Sequence, residues 1–328
     1  MKALVVGSGE MAAIRLQGLR EAGIHATVVS RTPEHAKRLV QPGLVDVCDV
    51  RDINAVEADF VFICSATVDH ERDLDAVIDR GIPVLCEKPV AHGTQAAAAL
   101  VRRALAASTP FYVAFMRRFD TGFRQLRRHV LKGDAGTLYH LRGAHYDRYA
   151  KRRDFIANSG GHFRDMLVHD IDIVLWLTGQ RVKQCHAWGS VRLWQDYAEF
   201  DDCDVASILL TLDNGLTASI QSSRAHPYGL DVRFEVLGSE GAFATGIDER
   251  TPIVSCEPGP SLLNVHPPQH FGIRFGEAFA TETREFIEFA VGRRASFDGC
   301  NAADAATVLR IAEACDESWR TARPVELS

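Results

Sequence analysis

Five short runs rich in Val, Ile, Ala and Phe, at 3–6, 26–29, 60–64, 83–86 and 111–115, punctuate the first third of the chain. They are near-continuous apolar runs rather than alternating ones, the pattern of a strand covered on both faces. Between them lie stretches with helical spacing, around 10–22, 33–40, 69–80 and 93–107. Strands alternating with helices force right-handed parallel crossovers, so the pattern predicts an α/β doubly wound parallel sheet.

Beyond residue 136 the period changes. Stretches at 137–146, 181–194, 203–212, 215–223 and 230–238 read as antiparallel strands, with a turn at Asp213, Asn214 and Gly215. Helical patterns near 273–291 and 301–320 complete the chain. The expected partner of the parallel sheet is therefore an α+β domain. No internal repeat, low-complexity segment or Pro-rich linker separates the halves, and 328 residues suffice for two coupled domains enclosing a cleft.

Residues 160–172 carry a separate signal. At about 100° per residue, His162, Asp165 and His169 fall within roughly 60° of one another on a helix, with Asp172 flanking them. Met166, Leu167, Ile171, Val174, Leu175 and Leu177 supply the burying surface. Each ionisable group costs several kcal/mol when desolvated without a partner, so such a stripe points to chemistry, although His162 or His169 alone reads as a hydrogen-bonded structural histidine and Asp172 as part of a polar network.

Charge and composition narrow the classes. A net charge of −6 argues against nucleic acid or an anionic membrane as the main partner and favours a small molecule. The eight cysteines are dispersed, with no Cys-x-x-Cys pair to suggest zinc or a redox centre. No apolar run approaches the roughly 20 residues that span a bilayer, and the strand beginning at Lys2 leaves no room for a signal peptide. The expected compartment is reducing and cytoplasmic.

The first turn reads Gly7-Ser8-Gly9-Glu10-Met11-Ala12, a Gly-x-Gly-x-x-Ala fingerprint that follows a strand and opens a helix. Gly7 permits the turn, Gly9 lets the backbone approach a pyrophosphate, and Ala12 allows close packing of helix on strand. The helix start offers N–H groups and a positive dipole end to phosphate. The second strand ends in Ser30, Arg31 and Thr32, where an NAD enzyme usually presents an acid. A guanidinium and two hydroxyls favour NADP over NAD; the plainer alternative is a solvated Arg31 with Thr32 capping the next helix. Glu87, Lys88 and Pro89 follow another strand, where Lys88 projects from the carboxyl edge of the sheet and Pro89 can adopt a cis bond. Glu87 and Lys88 also read as a surface pair.

Together these pieces resemble the glucose–fructose oxidoreductase, inositol dehydrogenase and MocA family over nearly the whole chain. The resemblance rests on the glycine turn, on Ser65-Ala66-Thr67 with His70, on Glu87-Lys88-Pro89, and on Asp165-x-x-x-His169. Phe115-Met116-Arg117-Arg118-Phe119-Asp120, and Phe155-Ile156 with Ser159-Gly160-Gly161, look most like inositol 2-dehydrogenases. It implies a Rossmann dinucleotide-binding domain over 1–117. A substrate-binding and oligomerisation domain follows over 118–328, with a large open, mostly antiparallel sheet and a homodimeric or homotetrameric assembly. The cofactor contacts it implies fall on Gly7, Ser8, Gly9, Glu10, Met11, Ser30, Arg31, Thr32, Ser65, Ala66, His70, Glu87 and Lys88.

Oxidising a secondary alcohol needs a base, a donor for the developing alkoxide and a hydride acceptor. His169 is the expected base, Asp165 a hydrogen-bond partner of His169 or substrate, and Lys88 a donor to the reacting oxygen. The resemblance assigns the same three positions to catalysis. It also places the basic stretch 148–153 along the substrate cleft, so that one of these residues, or His145 or Asn158, contacts substrate hydroxyls; the plainer account of most of the charge is a solvated loop. Arg118 is either another cleft residue or part of a structural ion pair. A metal site on His162, Asp165 and His169 is not expected, because a helical stripe does not set tetrahedral geometry. Two departures bear on specificity: Arg31 replaces an acid, and Phe275 stands where the resemblance leads one to expect a tyrosine. The expected activity interconverts a hydroxyl and a ketone on a cyclic polyol or sugar. The alternatives are a keto-sugar reductase in a biosynthetic route and a non-catalytic dinucleotide-sensing regulator.

Overall fold

The computed structural model describes residues 1–48, 53–253, 255–256, 258 and 266–327. In chain order the first elements are β1 (Lys2–Val6), α1 (Glu10–Glu21), β2 (His25–Val29), α2 (Pro33–Lys37), β3 (Val45–Cys48) and β4 (Phe60–Ile63). Then come α3 (His70–Asp75), β5 (Val84–Glu87), α4 (Thr94–Ala106), β6 (Phe111–Ala114), α5 (Thr121–Lys132), β7 (Leu138–Tyr146) and α6 (Arg153–Ile156). The chain continues through α7 (Val168–Thr178), β8 (Val182–Ser190), α8 (Asp196–Glu199), β9 (Val205–Leu212), β10 (Thr217–Ser223), β11 (Asp231–Gly238) and β12 (Ala242–Thr245). It closes with α9 (Phe271–Ala290), β13 (Cys300–Asn301), α10 (Ala302–Thr321) and β14 (Val325–Glu326).

Two units form. Met1–Phe119 and Glu277–Arg310 make the first; Asp120–Gly276 and the chain from Ile311 onward make the second. The boundaries fall inside α9 and α10.

The first unit carries a seven-stranded sheet in the order β13-β6-β5-β4-β1-β2-β3, parallel except for β13 against β6. All four residues of β4 are fully buried, as an unbroken apolar strand requires. The end of α9 covers this sheet, its Phe286 ring meeting Phe62 edge-on with centroids 5.2 Å apart and Phe60 at 6.2 Å. Close approach of α1 to α9 depends on Gly18, where an added Cβ would lie 2.5 Å from Cγ2 of Thr283.

Some expected elements are shorter. The helix over 33–40 ends at Lys37, and the stretch 69–80 forms α3 between two short 3-10 turns. Thr32 stands at the N-cap of α2 with no capping hydrogen bond from its side chain. Strands β3, β12, β13 and β14 have no counterpart in the expected set, being two to four residues long.

The second unit is built on another seven-stranded sheet, ordered β12-β11-β7-β10-β9-β8-β14. Its ladders are antiparallel with one correction to expectation: β7 and β10 run parallel, Thr217 opposite His140 through Ser223 opposite Tyr146. The expected strand 181–194 stops at Ser190. The turn at Asp213, Asn214 and Gly215 joins β9 to β10, with the Asn214 side chain accepting from the Leu216 amide. Among the described residues no helix is long and apolar enough to cross a membrane.

Candidate active site

The glycine turn of the first unit behaves as its sequence requires. Gly7 has φ +113°, and a Cβ there would lie 2.5 Å from the carbonyl oxygen of Cys64, so only glycine fits. A Cβ at Gly9 would meet nothing within 4 Å, so the backbone there faces open space. Gly9 caps α1 without a side-chain bond to the first-turn amides, and Ala12 is fully buried where helix meets strand. Ser8 and Ser30 share a hydrogen bond of 2.7 Å that ties the glycine turn to the end of β2, and Ser30 Oγ also accepts from the Thr32 amide. Glu10 and Met11 form the first turn of α1.

Arg31 is paired with Asp69, which also receives Arg72 at 3.1 Å. Its side chain is still 61% exposed, so the guanidinium remains within reach of a ligand. Ser65 and Ala66 follow β4, and Ser65 Oγ is buried with no hydrogen-bond partner among the described residues. Such an orphaned hydroxyl fits a site that a bound group completes. His70 is buried between two carbonyls, Nδ1 at 2.7 Å from Pro89 O and Nε2 at 3.1 Å from Ser65 O. Burial pushes its pKa down, so the ring is neutral and donates at one contact, Nδ1 making the shorter one. His70 thereby ties the start of α3 to Pro89, and the Lys88–Pro89 bond is cis.

Glu87 is not half of a surface pair with Lys88. It accepts from Nη2 of Arg15 at 2.8 Å, and the same nitrogen donates to Glu282 at 2.7 Å while Nη1 donates to the Thr283 hydroxyl. Arg15 is completely buried, its guanidinium near the Phe62 and Phe279 rings. Nothing in the spacing of the sequence marks Arg15 or Glu282 as partners, since they lie 267 residues apart. Their juxtaposition anchors the residue that precedes Lys88.

In the second unit the helix over 160–172 departs from the assumed geometry. Phe163–Leu167 form a π-helical turn before α7, so the 100° spacing does not run unbroken from His162 to His169. His162 drops out of the stripe as a structural group. It is fully buried, with Nδ1 2.9 Å from Cys203 O and Nε2 2.7 Å from Ser222 Oγ, and its amide donates to Asp202. Burial, aided by the charge of Arg224, pushes its pKa down to about 3.

Asp165 and His169 remain as an ionisable pair, each only 8% exposed. Arg224 donates to Asp165 at 2.6 Å and is itself sealed from solvent. The His145 ring stands edge-on to His169 with centroids 6.3 Å apart, and its Nδ1 is 2.8 Å from Asp170. Asp172 is fully buried on the same helix. The arrangement offers a nearly buried imidazole four residues along the chain from a charge-compensated carboxylate, groups of the kind that exchange a proton with a hydroxyl. Among the described residues no group of three or more His, Cys, Asp or Glu side chains could hold a metal ion.

The remaining expected contacts fall in varied surroundings. Asn158 is exposed just past α6 and donates to the Asp154 carbonyl. Arg118 is buried in the first unit, with Nη1 3.4 Å from the Gly299 carbonyl. Phe275 is buried, with the Arg274 guanidinium 4.4 Å from its ring centroid. Arg274 in turn pairs at 2.6 Å with Asp120, the N-cap of α5.

Comparison with known proteins gives two family matches. Residues 1–115 match a model described as an oxidoreductase family with an NAD-binding Rossmann fold, and residues 123–244 match the GFO/IDH/MocA C-terminal domain. The chain is 31% identical over 323 residues to the myo-inositol dehydrogenase Hyg17 of Streptomyces leeuwenhoekii, covering 97% of each. It is 33% identical over 246 residues to an inositol 2-dehydrogenase of Rhizobium meliloti, covering 73% of this chain and 74% of that one. Among solved structures, a myo-inositol dehydrogenase of Corynebacterium glutamicum superposes with a TM-score of 0.90 at 26% identity, covering 100% of this chain and 99% of that one.

Proposed function

This chain belongs to the GFO/IDH/MocA family of oxidoreductases with an NAD-binding Rossmann fold, and on that premise we propose that it interconverts a secondary hydroxyl and a ketone on a cyclic polyol of the inositol type. Its relatives named as inositol dehydrogenases support the substrate class. The observation that carries the site is the retention of His169 and Asp165 as a nearly buried pair, with Arg224 compensating the carboxylate.

The dinucleotide is held by the main chain of Gly7, Ser8 and Gly9, by the first turn of α1 at Glu10 and Met11, and by Ser65, Ala66, Glu87 and Lys88. The orphaned Ser65 hydroxyl supports this assignment. Ser30, Arg31 and Thr32 bind the adenosine ribose and give NADP the advantage over NAD, since no acid ends β2 to select an unmodified ribose. The bound nicotinamide supplies hydride acceptance and donation.

The chain's own groups manage the proton. His169 takes it from the substrate hydroxyl and returns it in the reductive direction. Asp165 orients the hydroxyl or the imidazole, and the Lys88 ammonium donates to the reacting oxygen and favours the alkoxide. His70 and Arg15 act as positioning residues for the Lys88 segment. His145 and Arg118 serve as further substrate contacts, and Asn158 as an outer one. The open sheet of the second unit mediates a homodimer or homotetramer.

The test is nicotinamide absorbance followed with NAD and with NADP against myo-inositol, scyllo-inositol, aldoses and their keto derivatives. Turnover of at least one inositol that is lost in His169→Ala is expected. No hydride transfer with any polyol or sugar in either direction would remove the reading.

A further inference from the structure

The basic loop that follows β7 lines a cavity that proton transfer and cofactor binding do not use. Its volume is about 940 Å³, and it lies wholly within the second unit, walled by residues 148–154, by Leu193, Trp194 and Asp196, and by Ala225 and Pro227. That is near the upper end of the range for drug-sized ligands, so it has room for more than one polyol ring. Two segments of its lining are continuous along the chain with residues of the cluster around Asp165. The Asp147 amide donates to the Ser223 carbonyl, and Ala225 follows the arginine that pairs with Asp165.

The charge of the lining is unusual for a polyol site. Arg148, Lys151, Arg152 and Arg153 contribute four cations against the two carboxylates of Asp154 and Asp196. Lysine and arginine side chains donate hydrogen bonds and accept none, whereas a neutral polyol presents donors and acceptors together. Three of the four have carboxylate partners: Lys151 with Asp147, Arg152 with Asp154, and Arg153 with Glu199 and Asp196. Arg148 differs. Its Nε donates to the amide oxygen of Gln269 and its guanidinium lies 4.5 Å from the Tyr149 ring centroid, with no carboxylate partner among the described residues. A cation held in place by neutral groups is prepared for an external anion.

We propose that this cavity receives an anionic oxygen group, a phosphate or a carboxylate, carried by the polyol substrate, with Arg148 as its principal contact. The preferred substrate is then a phosphorylated or acidic polyol, with the corresponding free polyol bound less tightly. This rests on the oxidoreductase reading for the fate of the polyol but not for the binding of the anion.

Calorimetric titration of the full chain with myo-inositol 1-phosphate, myo-inositol, glucuronate, glucose and inorganic phosphate tests it. Loss of one charge-assisted contact is worth about tenfold in affinity, so at least one anionic probe should bind about tenfold tighter than its neutral counterpart. That ratio should fall towards one in Arg148→Gln and in Arg148→Ala, inorganic phosphate should compete, and added salt should weaken the preference. A phosphate or a carboxylate source shows as preference in the inositol or the glucose arm. Equal affinity for both members of each pair overturns the proposal, as does a preference that survives in both variants. If the anion binds through Arg148 while no polyol exchanges hydride, the oxidoreductase reading fails and the anion site stands. If free inositol turns over with no preference for the charged forms, the reverse holds.

Discussion

Arg224 donates from Nη1 to Oδ2 of Asp165 across 2.6 Å, with 1% of the arginine side chain and 11% of the aspartate exposed. Each of these charges is compensated by the other inside a buried cluster that also brings Asp202 to Arg224. Breaking a buried pair by removing one partner typically costs about 3–5 kcal/mol, because the remaining charge is left uncompensated. Arg224→Met is therefore expected to lower the urea midpoint by that order and to reduce kcat. Arg224→Met combined with Asp165→Asn should recover much of the stability without recovering turnover. A single variant as stable as the parent would show that the pair does not bear on the fold.

A second pair test concerns Arg15, whose two carboxylate partners Glu87 and Glu282 converge on one nitrogen. Arg15→Met leaves two acids facing each other in a buried site, and a loss of about 3–5 kcal/mol is expected. Adding Glu282→Gln removes one of the like charges and should restore part of the thermal midpoint. Because Glu87 precedes Lys88, the Arg15 variant should also raise the Kd for the dinucleotide, measured by fluorescence titration.

The acid limb of stability follows from His162. Its folded pKa of about 3 lies below the unfolded value of 6.5. Between those pH values the unfolded chain binds the extra proton, so stability is complete above 6.5 and falls as pH is lowered. His70, also held below its ordinary value by burial, acts in the same direction in the first unit. Each group contributes a slope of at most about 1.4 kcal/mol per pH unit. In His162→Gln, the change in unfolding free energy between pH 6.5 and pH 5 should be smaller than in the parent; an unchanged slope would contradict the assignment.

For the reaction itself, His169→Ala and Lys88→Ala are expected to lower kcat by about 10²- to 10⁴-fold, the usual contribution of a positioned proton donor or acceptor. Cofactor Kd should stay within a few-fold in His169→Ala. The pH profile of kcat should lose one limb in that variant. Retention of full turnover in both would end the proposed roles.

The proposed preference for NADP is tested at the Arg31 and Asp69 pair. Arg31→Ala should raise KM for NADP by about tenfold or more and change KM for NAD little, since only the phosphate offers a charge-assisted partner. Asp69→Asn releases the guanidinium from its carboxylate and should lower KM for NADP. Equal effects on both cofactors would remove Arg31 from phosphate recognition.

The parts of this molecule legible from residue order are those whose physics is local. Strand β4 announces itself because a strand covered on both faces is apolar at every position. The turn at Gly7 is legible because a φ of +113° against the Cys64 carbonyl leaves room for no side chain. By contrast β3, with Asp46 between two valines at the sheet edge, carries too short a signal to separate from a loop. The parallel pairing of β7 with β10 is invisible locally, since two alternating strands look alike in either direction. His162 has the same periodicity as a catalytic residue and becomes structural only because Cys203 and Ser222 arrive to meet both ring nitrogens.

Residue order by itself determined the glycine turn after β1, the alternation of strand and helix in the first sheet, and the presence of Lys88 after β5 and of Asp165 and His169 where packing alone would place apolar groups. Tertiary structure decided which of those groups are compensated and by what. Arg15 reached Glu282, Arg224 reached Asp165 and Arg31 reached Asp69 across separations that no local pattern encodes. The physical reason is that backbone preference acts over a few neighbours in the chain. The stability of a buried charge depends on whatever partner folding carries to within about 3 Å of it.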